Sequence, residues 1–325
     1  MIEEFDWPDE PGAEFDNGFM VDDADLPPDY RSGYIAVVGR PNVGKSTLIN
    51  AYLGEKIAIV SPKAQTTRNR LLGILTTDQS QLIFVDTPGI HKPHHKFGQY
   101  MVDTALRAIP DADIIVWLVD GAEPPHPEDA LVAEAILRIK DRPPVILAMN
   151  KVDLLAPEQV QSRLAEFLTY LEPDLALPIS ALEGHNRDVL LEAIVERLPF
   201  GPRYFPKDQL TDQHLRFIAA EMIREAALKV LRQEVPHALV VQVKEFKERS
   251  TAMTYINASI FVERKSQKPI VIGQGGKTIK KIGQLARPEI EAMLGTKVFL
   301  DLQVKVLPNW RKKAEELKRF GYSLD

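Results

Sequence analysis

The sequence predicts two domains: an α/β domain with a mostly parallel sheet and one antiparallel strand, then a smaller α+β domain. Three observations carry this reading. Apolar runs of strand length alternate with amphipathic helical stretches from residue 34 to about 198, the pattern of a sheet covered on both faces. The proline-rich stretch LPFGPRYFPKD then breaks the alternation. Beyond it the order changes to a helix, two strands, helices and a last strand.

Residues 1–33 hold 11 Asp and Glu against one Arg, interrupted by Pro8, Pro11, Pro27 and Pro28. They are expected to form an acidic disordered tail. In the first domain, 34–202, strands are expected at 34–38, 71–77, 81–86, 113–119, 145–149 and 177–180. Helical patterns fall at 45–53, 97–109, 128–139, 158–171 and 188–198. The link at 78–80 is too short for a crossover, so it makes a hairpin and reverses one strand. In the second domain, 203–325, a helix is expected at 213–232 and strands at 238–246, 251–262 and 297–306, with VIGQGGKTIKKIGQLAR leading into helices before the last strand.

The 325 residues are 45% hydrophobic and 26% charged and include no cysteine, which excludes disulfides, thiolate metal sites and cysteine nucleophiles. No apolar run is long enough to span a bilayer, and the acidic start lacks the pattern of a secretory or organelle leader, so the expected compartment is the cytoplasm. The net charge of -6 conceals an asymmetry: residues 203–325 hold 23 Lys and Arg against 14 Asp and Glu. That balance suits a domain that meets polyanions.

The stretch YIAVVGRPNVGKSTLINAYLG places two glycines and a lysine where a strand meets a helix. Its GRPNVGKS fits the phosphate-loop pattern G-x-x-x-x-G-K-[ST]. Gly39 and Gly44 let backbone N–H groups approach phosphate oxygens at the positive end of the helix, with Asn42, Val43 and Thr47 in the same wrap. Lys45 is expected on the outer phosphates and the Ser46 hydroxyl on Mg2+. LIFVDTPG ends a strand with Asp86, expected to hold Mg2+ through water, and offers the Gly89 amide to the terminal phosphate. Alone it reads as a plain proline turn.

MNKVD brings Asn150, Lys151 and Asp153 to the end of a later strand. A carboxylate at Asp153 can accept both the N1–H and the exocyclic amino group of guanine, whereas adenine would leave it unpaired. As a helix cap Asp153 fits less well, because Pro157 delays the next helix. PISAL adds Ser180 and the Ala181 amide, expected to face the base oxygen. His91, His94 and His95 are read as a solvated loop, since no matching carboxylate cluster accompanies them.

In this order at strand ends, the four pieces resemble the G domains of translation-factor-class GTPases over residues 34–198. The resemblance implies GTP as ligand, with Mg2+. SPKAQTTRNRLLGI is similar to the first switch of the Era-type branch, which implies that Thr67, or its neighbour Thr66, closes on Mg2+. Ile90 follows Gly89, so no catalytic glutamine stands there. In several members of this branch the loop asparagine, here Asn42, helps hold K+ in place of an arginine finger; otherwise Asn42 is a turn residue. Lys45, Thr67 and Asn42 are the catalytic residues this implies.

In the second domain, Gly273, Gln274, Gly275 and Gly276 lie between two helical patterns, with Lys277, Lys280 and Lys281 following at helical spacing. With Ile272, Ile279 and Ile282 as an apolar floor, this resembles a type II KH domain, whose loop clamps a short single strand. A solvated lysine face on a helix–helix turn is the plainer reading. A GTPase joined to a KH domain in this order resembles the Era family of bacterial ribosome-associated GTPases, from residue 34 to the C-terminal FGYSLD. The resemblance implies a monomer that binds GTP or GDP and small-subunit ribosomal RNA near its 3′ end, acts in 30S assembly, and in some members contacts the inner membrane peripherally. An RNA chaperone with structural GTP is the alternative. The acidic tail and the unusually uncharged GQGG depart from the family pattern.

Overall fold

The computed structural model describes residues 26–61, 63, 66–93, 95–232 and 234–322. Most of the acidic tail, His94 and the last three residues lie outside the described residues. The first sheet is built from β1 (Arg31–Val38), β2 (Leu71–Thr76), β3 (Ser80–Asp86), β4 (Ile114–Asp120), β5 (Val145–Asn150) and β6 (Leu175–Pro178). Their order is β2-β3-β1-β4-β5-β6, with β2 antiparallel to β3 and the other pairs parallel. The expected hairpin is closed by Thr77, whose amide donates to the Ser80 carbonyl at 2.8 Å.

Alternation along β1 divides the core. Ile35 and Val37 pack with α1 (Lys45–Leu53) and α5 (Arg187–Arg197) on one face. Ala36 and Val38 face α2 (Lys96–Arg107), α3 (Pro127–Leu137) and α4 (Pro157–Leu168) on the other. β4 and β5 are buried along their whole length, as strands covered on both faces must be. Because β1 has β3 on one side and β4 on the other, the crevice for a ligand opens at its C-terminal end.

The tail expectation is corrected at its end. β1 begins at Arg31, and residues 31–33 pair with Ser80, Gln81 and Leu82. Arg31 Nη1 donates to the Glu196 and Leu198 carbonyls while the guanidinium lies over Phe200, 4.4 Å from its centroid. The single basic residue of the acidic stretch is thus an anchor.

The second unit has α6 (Leu215–Val230), β7 (Val240–Ser250), β8 (Met253–Val262), α7 (Gln267–Ile272), α8 (Lys277–Leu294), β9 (Lys297–Val306) and α9 (Ala314–Arg319). Its sheet order is β7-β8-β9, with β7 antiparallel and β9 parallel to β8. α6 and α8 cover one face. β7 outruns its expected end through the charged KERS stretch, an exposed edge that needs no apolar pattern to pair.

The connection between the units is stitched to the first sheet. The Ile74 amide donates to the Leu210 carbonyl at 2.8 Å and the Leu72 amide to Asp212 Oδ1 at 3.1 Å, which covers the β2 edge. Buried Gln81 accepts from the Tyr204 and Phe205 amides at 2.8 and 3.0 Å. Phe97 and Met101 of α2 pack with Trp310, Leu317 and Tyr322 of the second unit. Among the described residues no helix is long and apolar enough to cross a membrane.

Candidate functional site

The turn after β1 enters α1 through Gly44, whose φ of 107° suits glycine and whose added Cβ would lie 2.3 Å from Asn150 Nδ2. Asn42 is left-handed at φ 66°. The first turn of α1, with Thr47 half-buried in it, has no side-chain cap, so its N–H groups stay available to an anion. Lys45 is only 6% exposed and its Nζ donates to the Gly39 and Arg40 carbonyls at 3.2 and 3.0 Å. Burial brings its ammonium down to about 8, against the opposing pull of Asp86.

Three oxygen groups converge beside it. Ser46 Oγ donates to Asp86 Oδ2 at 2.8 Å and lies 2.9 Å from Thr67 Oγ1, which reaches the same carboxylate oxygen at 3.2 Å. Thr66 is turned away, its hydroxyl donating to the Lys63 carbonyl at 2.7 Å. Asp86 is wholly buried, and burial raises its carboxyl above the usual range although Lys45 and the two hydroxyls pull it down. Its Oδ1 has no hydrogen-bond partner among the described residues. Two hydroxyls and a carboxylate with one oxygen open are a hard-oxygen set that fits Mg2+. Gly89 closes the crevice: an added Cβ would lie 2.4 Å from Pro41 N. Ile90 is buried in the core, so no side chain there faces the crevice.

Asn150 straps the crevice together. Its Nδ2 donates to the Val43 carbonyl at 2.7 Å and its Oδ1 accepts from the Ala181 amide at 2.8 Å. The Ala181 amide expected to face the base oxygen thus sits beside the Asn150 side chain, which accepts from it. Ser180 is buried and its Oγ accepts from the Glu183 amide at 3.0 Å, shaping the turn. Lys151 pairs with Asp120 Oδ2 at 2.5 Å, and Arg40 approaches the same carboxylate at 3.6 Å. Asp120 was missed in the sequence, although it ends DIIVWLVD as Asp86 ends its own strand. Asp153 is exposed in the short 3-10 turn Val152–Leu154.

About the second unit's loop, Gly273, Gly275 and Gly276 have φ of 74°, 59° and 78°. A Cβ on Gly273 would lie 2.2 Å from Thr278 Oγ1, while nothing lies within 4 Å of one on Gly275 or Gly276. That open side is where another backbone can approach. Gln274, Lys277, Lys280 and Lys281 are exposed around it. A groove beside α8, lined by Ile279, Lys280, Gln284 and Arg287 with Leu300 and Leu302 of β9, continues from the loop. Of the expected floor, Ile282 is fully buried, and Ile272 and Ile279 partly.

The family described as 50S ribosome-binding GTPase matches residues 34–151, and the KH domain family matches residues 234–311. The chain is similar to Era crystallised with MgGDPNP and nucleotides 1506–1542 of 16S ribosomal RNA, with 41% identity, TM-score 0.86, and coverage of 91% of this chain and 100% of that one. It is equally similar to an Era variant of Aquifex aeolicus bound to GDP and AlF4-, with 41% identity, TM-score 0.86, and coverage of 90% and 100%. The chain belongs to the Era family.

The histidine reading is corrected for this Era-family protein. His91 is buried with Nδ1 2.8 Å from the Gly89 carbonyl, and His95 caps α2 by accepting from the Gly98 amide at 2.8 Å. They hold the ends of the segment after Gly89. Among the described residues no cluster of three His, Cys, Asp or Glu could hold a metal.

A pH dependence follows from Lys45. A bound phosphate favours the ammonium and raises its pKa above the value of about 8 that burial sets. Affinity should therefore be full below pH 8 and fall as pH rises beyond it. Calorimetry of GDP binding in buffers of different ionisation enthalpy should find roughly half a proton or more taken up at pH 8.5 and little at pH 7.

Proposed function

We propose that this protein is a GTP-hydrolysing switch that binds small-subunit ribosomal RNA near its 3′ end and acts in 30S assembly, with 34–202 and 203–325 as its working units. One observation carries the reading: Ser46, Thr67 and Asp86 converge beside Lys45, with a buried carboxylate oxygen open, on a chain whose second unit presents GQGG with clear space above Gly275 and Gly276. A complete set of this kind favours turnover over a merely structural nucleotide. The Era complex with a 16S fragment supports the small subunit over the large one named by the wider family.

In this reading the first-turn N–H groups of α1 and Lys45 hold the phosphates in place. Ser46 and Thr67 would hold Mg2+ with Asp86 behind them, and the ion supplies neutralisation of charge on the outer phosphates. With Ile90 buried, hydrolysis leans on positioning and charge. Asn42, exposed on the loop, is the proposed K+ holder. Asp153, exposed with no hydrogen bond to the described protein residues, accepts the two guanine donors.

Three outcomes check these roles. Asp153→Asn should exchange a preference for GTP into one for XTP, since xanthine carries a carbonyl where guanine has its amino group; equilibrium binding that still favours GTP would exclude the assignment. Turnover of the parent should be faster in potassium than in sodium, and Asn42→Ala should remove the difference. Gly275→Asp should weaken single-stranded RNA by about tenfold or more, adding repulsion at a left-handed site that Asp tolerates, while GDP affinity stays the same. The same change at Gly273 would clash with Thr278 and test folding instead.

A further inference from the structure

The segment carrying Thr67 is gripped from the other unit. Arg224, in the middle of α6, is wholly buried, and its Nη2 donates to the carbonyl of Thr66, the residue before Thr67. Glu221, one turn earlier on α6, fixes that guanidinium, accepting from Nε at 2.8 Å and from Nη2 at 2.5 Å. Two further side chains hold the same segment. Lys63 Nζ donates to the Leu228 and Leu231 carbonyls at the end of α6. Arg68 donates to the Leu239 carbonyl at 2.7 Å and lies over the Phe97 ring, 5.2 Å from its centroid.

The chemistry of this grip is unusual for a structural contact. Arg68 and Arg224 are both buried; burial and then the nearby Arg224 pull Arg68 down from its usual range, while Glu221 favours the charge of both. Arg68 Nε and Arg224 Nη1 have no hydrogen-bond partners among the described residues. A well-packed apolar side chain would hold two domains together at lower electrostatic cost. What the guanidinium offers is direction: a rigid fork anchored on Glu221, aimed at one backbone carbonyl.

We propose that Arg224 is a positioning residue for the magnesium threonine, supplied by the RNA-binding unit: by fixing the Thr66 carbonyl it holds Thr67 against Ser46 and Asp86. The stance of α6 then decides whether the first switch is closed. This rests on the reading of Thr67 as the residue that closes on Mg2+ in the GTP state. Arg224 touches neither nucleotide nor ion in this scheme; its effect passes through one backbone carbonyl.

The test uses the full chain and compares affinity for GDP and for GDPNP, the Mg2+ concentration giving half-maximal GTP turnover, and thermal unfolding. Arg224→Gln should leave GDP affinity within about twofold, weaken GDPNP by about tenfold, and raise the Mg2+ requirement severalfold. Arg224→Lys, which keeps the charge but not the fork, should fall between Arg224→Gln and the parent. Glu221→Gln should give a smaller change of the same sign, and it decides the matter if Arg224→Gln does not fold. Equal weakening of GDP and GDPNP, or an unchanged ratio of the two in folded variants, would overturn the proposal. A parent protein with no GDPNP binding at all would instead overturn the GTP reading on which it rests.

Discussion

A carboxylate taken fully out of water at the end of β3 is the constraint on which the nucleotide site depends. Asp86 has 0% exposure, and a buried charge persists only when its surroundings answer it. The answer comes from two separate pieces of chain: Lys45 and Ser46 at the start of α1, and Thr67 from the segment before β2. Each is placed by its own element. The β1–β3 pairing sets Asp86 opposite Val37, the phosphate loop leaves β1 directly after, and the antiparallel β2 brings its preceding segment back to the same end. The one carboxylate oxygen left without a partner among the described residues is what makes the cluster a candidate site and not only a core.

The contact between the two units ties that site to the KH unit proposed to bind RNA. Lys56, just after α1, pairs with Glu225 of α6 at 2.5 Å and Glu289 of α8 at 2.7 Å, and Lys229 joins the same two carboxylates. α8 also begins at the GQGG loop and carries Lys277, Lys280 and Lys281. One helix therefore links the loop proposed to meet RNA to an ion-pair network shared with the GTPase unit. The segment after Gly89 is held differently: Phe97 at the start of α2 lies 5.2 Å from Trp310 and 4.7 Å from Tyr322, ring centroid to centroid. The nucleotide-side segments thus meet the second unit through buried guanidinium groups on one side and aromatic packing on the other.

The sequence was most legible where chemistry requires particular residues at fixed spacing. Gly39, Gly44, Lys45, Ser46 and Asp86 could be read because strand ends and phosphate geometry leave few substitutes, and GQGG because its glycines adopt left-handed backbone. Legibility failed for partners far apart along the chain. Nothing near Arg224 signals that it will meet Thr66, and Arg31 looked like a stray charge in an acidic tail until β3 and Leu198 were placed beside it. The bond from the Ala181 amide to Asn150 Oδ1 was equally hidden, because its acceptor comes from another strand. The histidines after Gly89 looked solvated, since their backbone partners are invisible to composition. Helix α9, with six residues, carries too short a pattern to register, although Leu317 and its neighbours cover the second unit against α2.

The central claim is that the two units share one equilibrium, because the groups holding Thr67 and Phe97 belong to the unit proposed to hold RNA. A single-stranded RNA matching the small-subunit 3′ end, titrated against full-length protein loaded with GDP or with GDPNP, measures this directly, and the nucleotide titrated with and without RNA measures the reverse leg. The account predicts RNA bound roughly 5-fold to 100-fold more tightly in the GDPNP state, with RNA tightening GDPNP relative to GDP by the same factor. Equal RNA affinity in the two nucleotide states would contradict it, leaving a GTPase and an RNA binder that only share a chain.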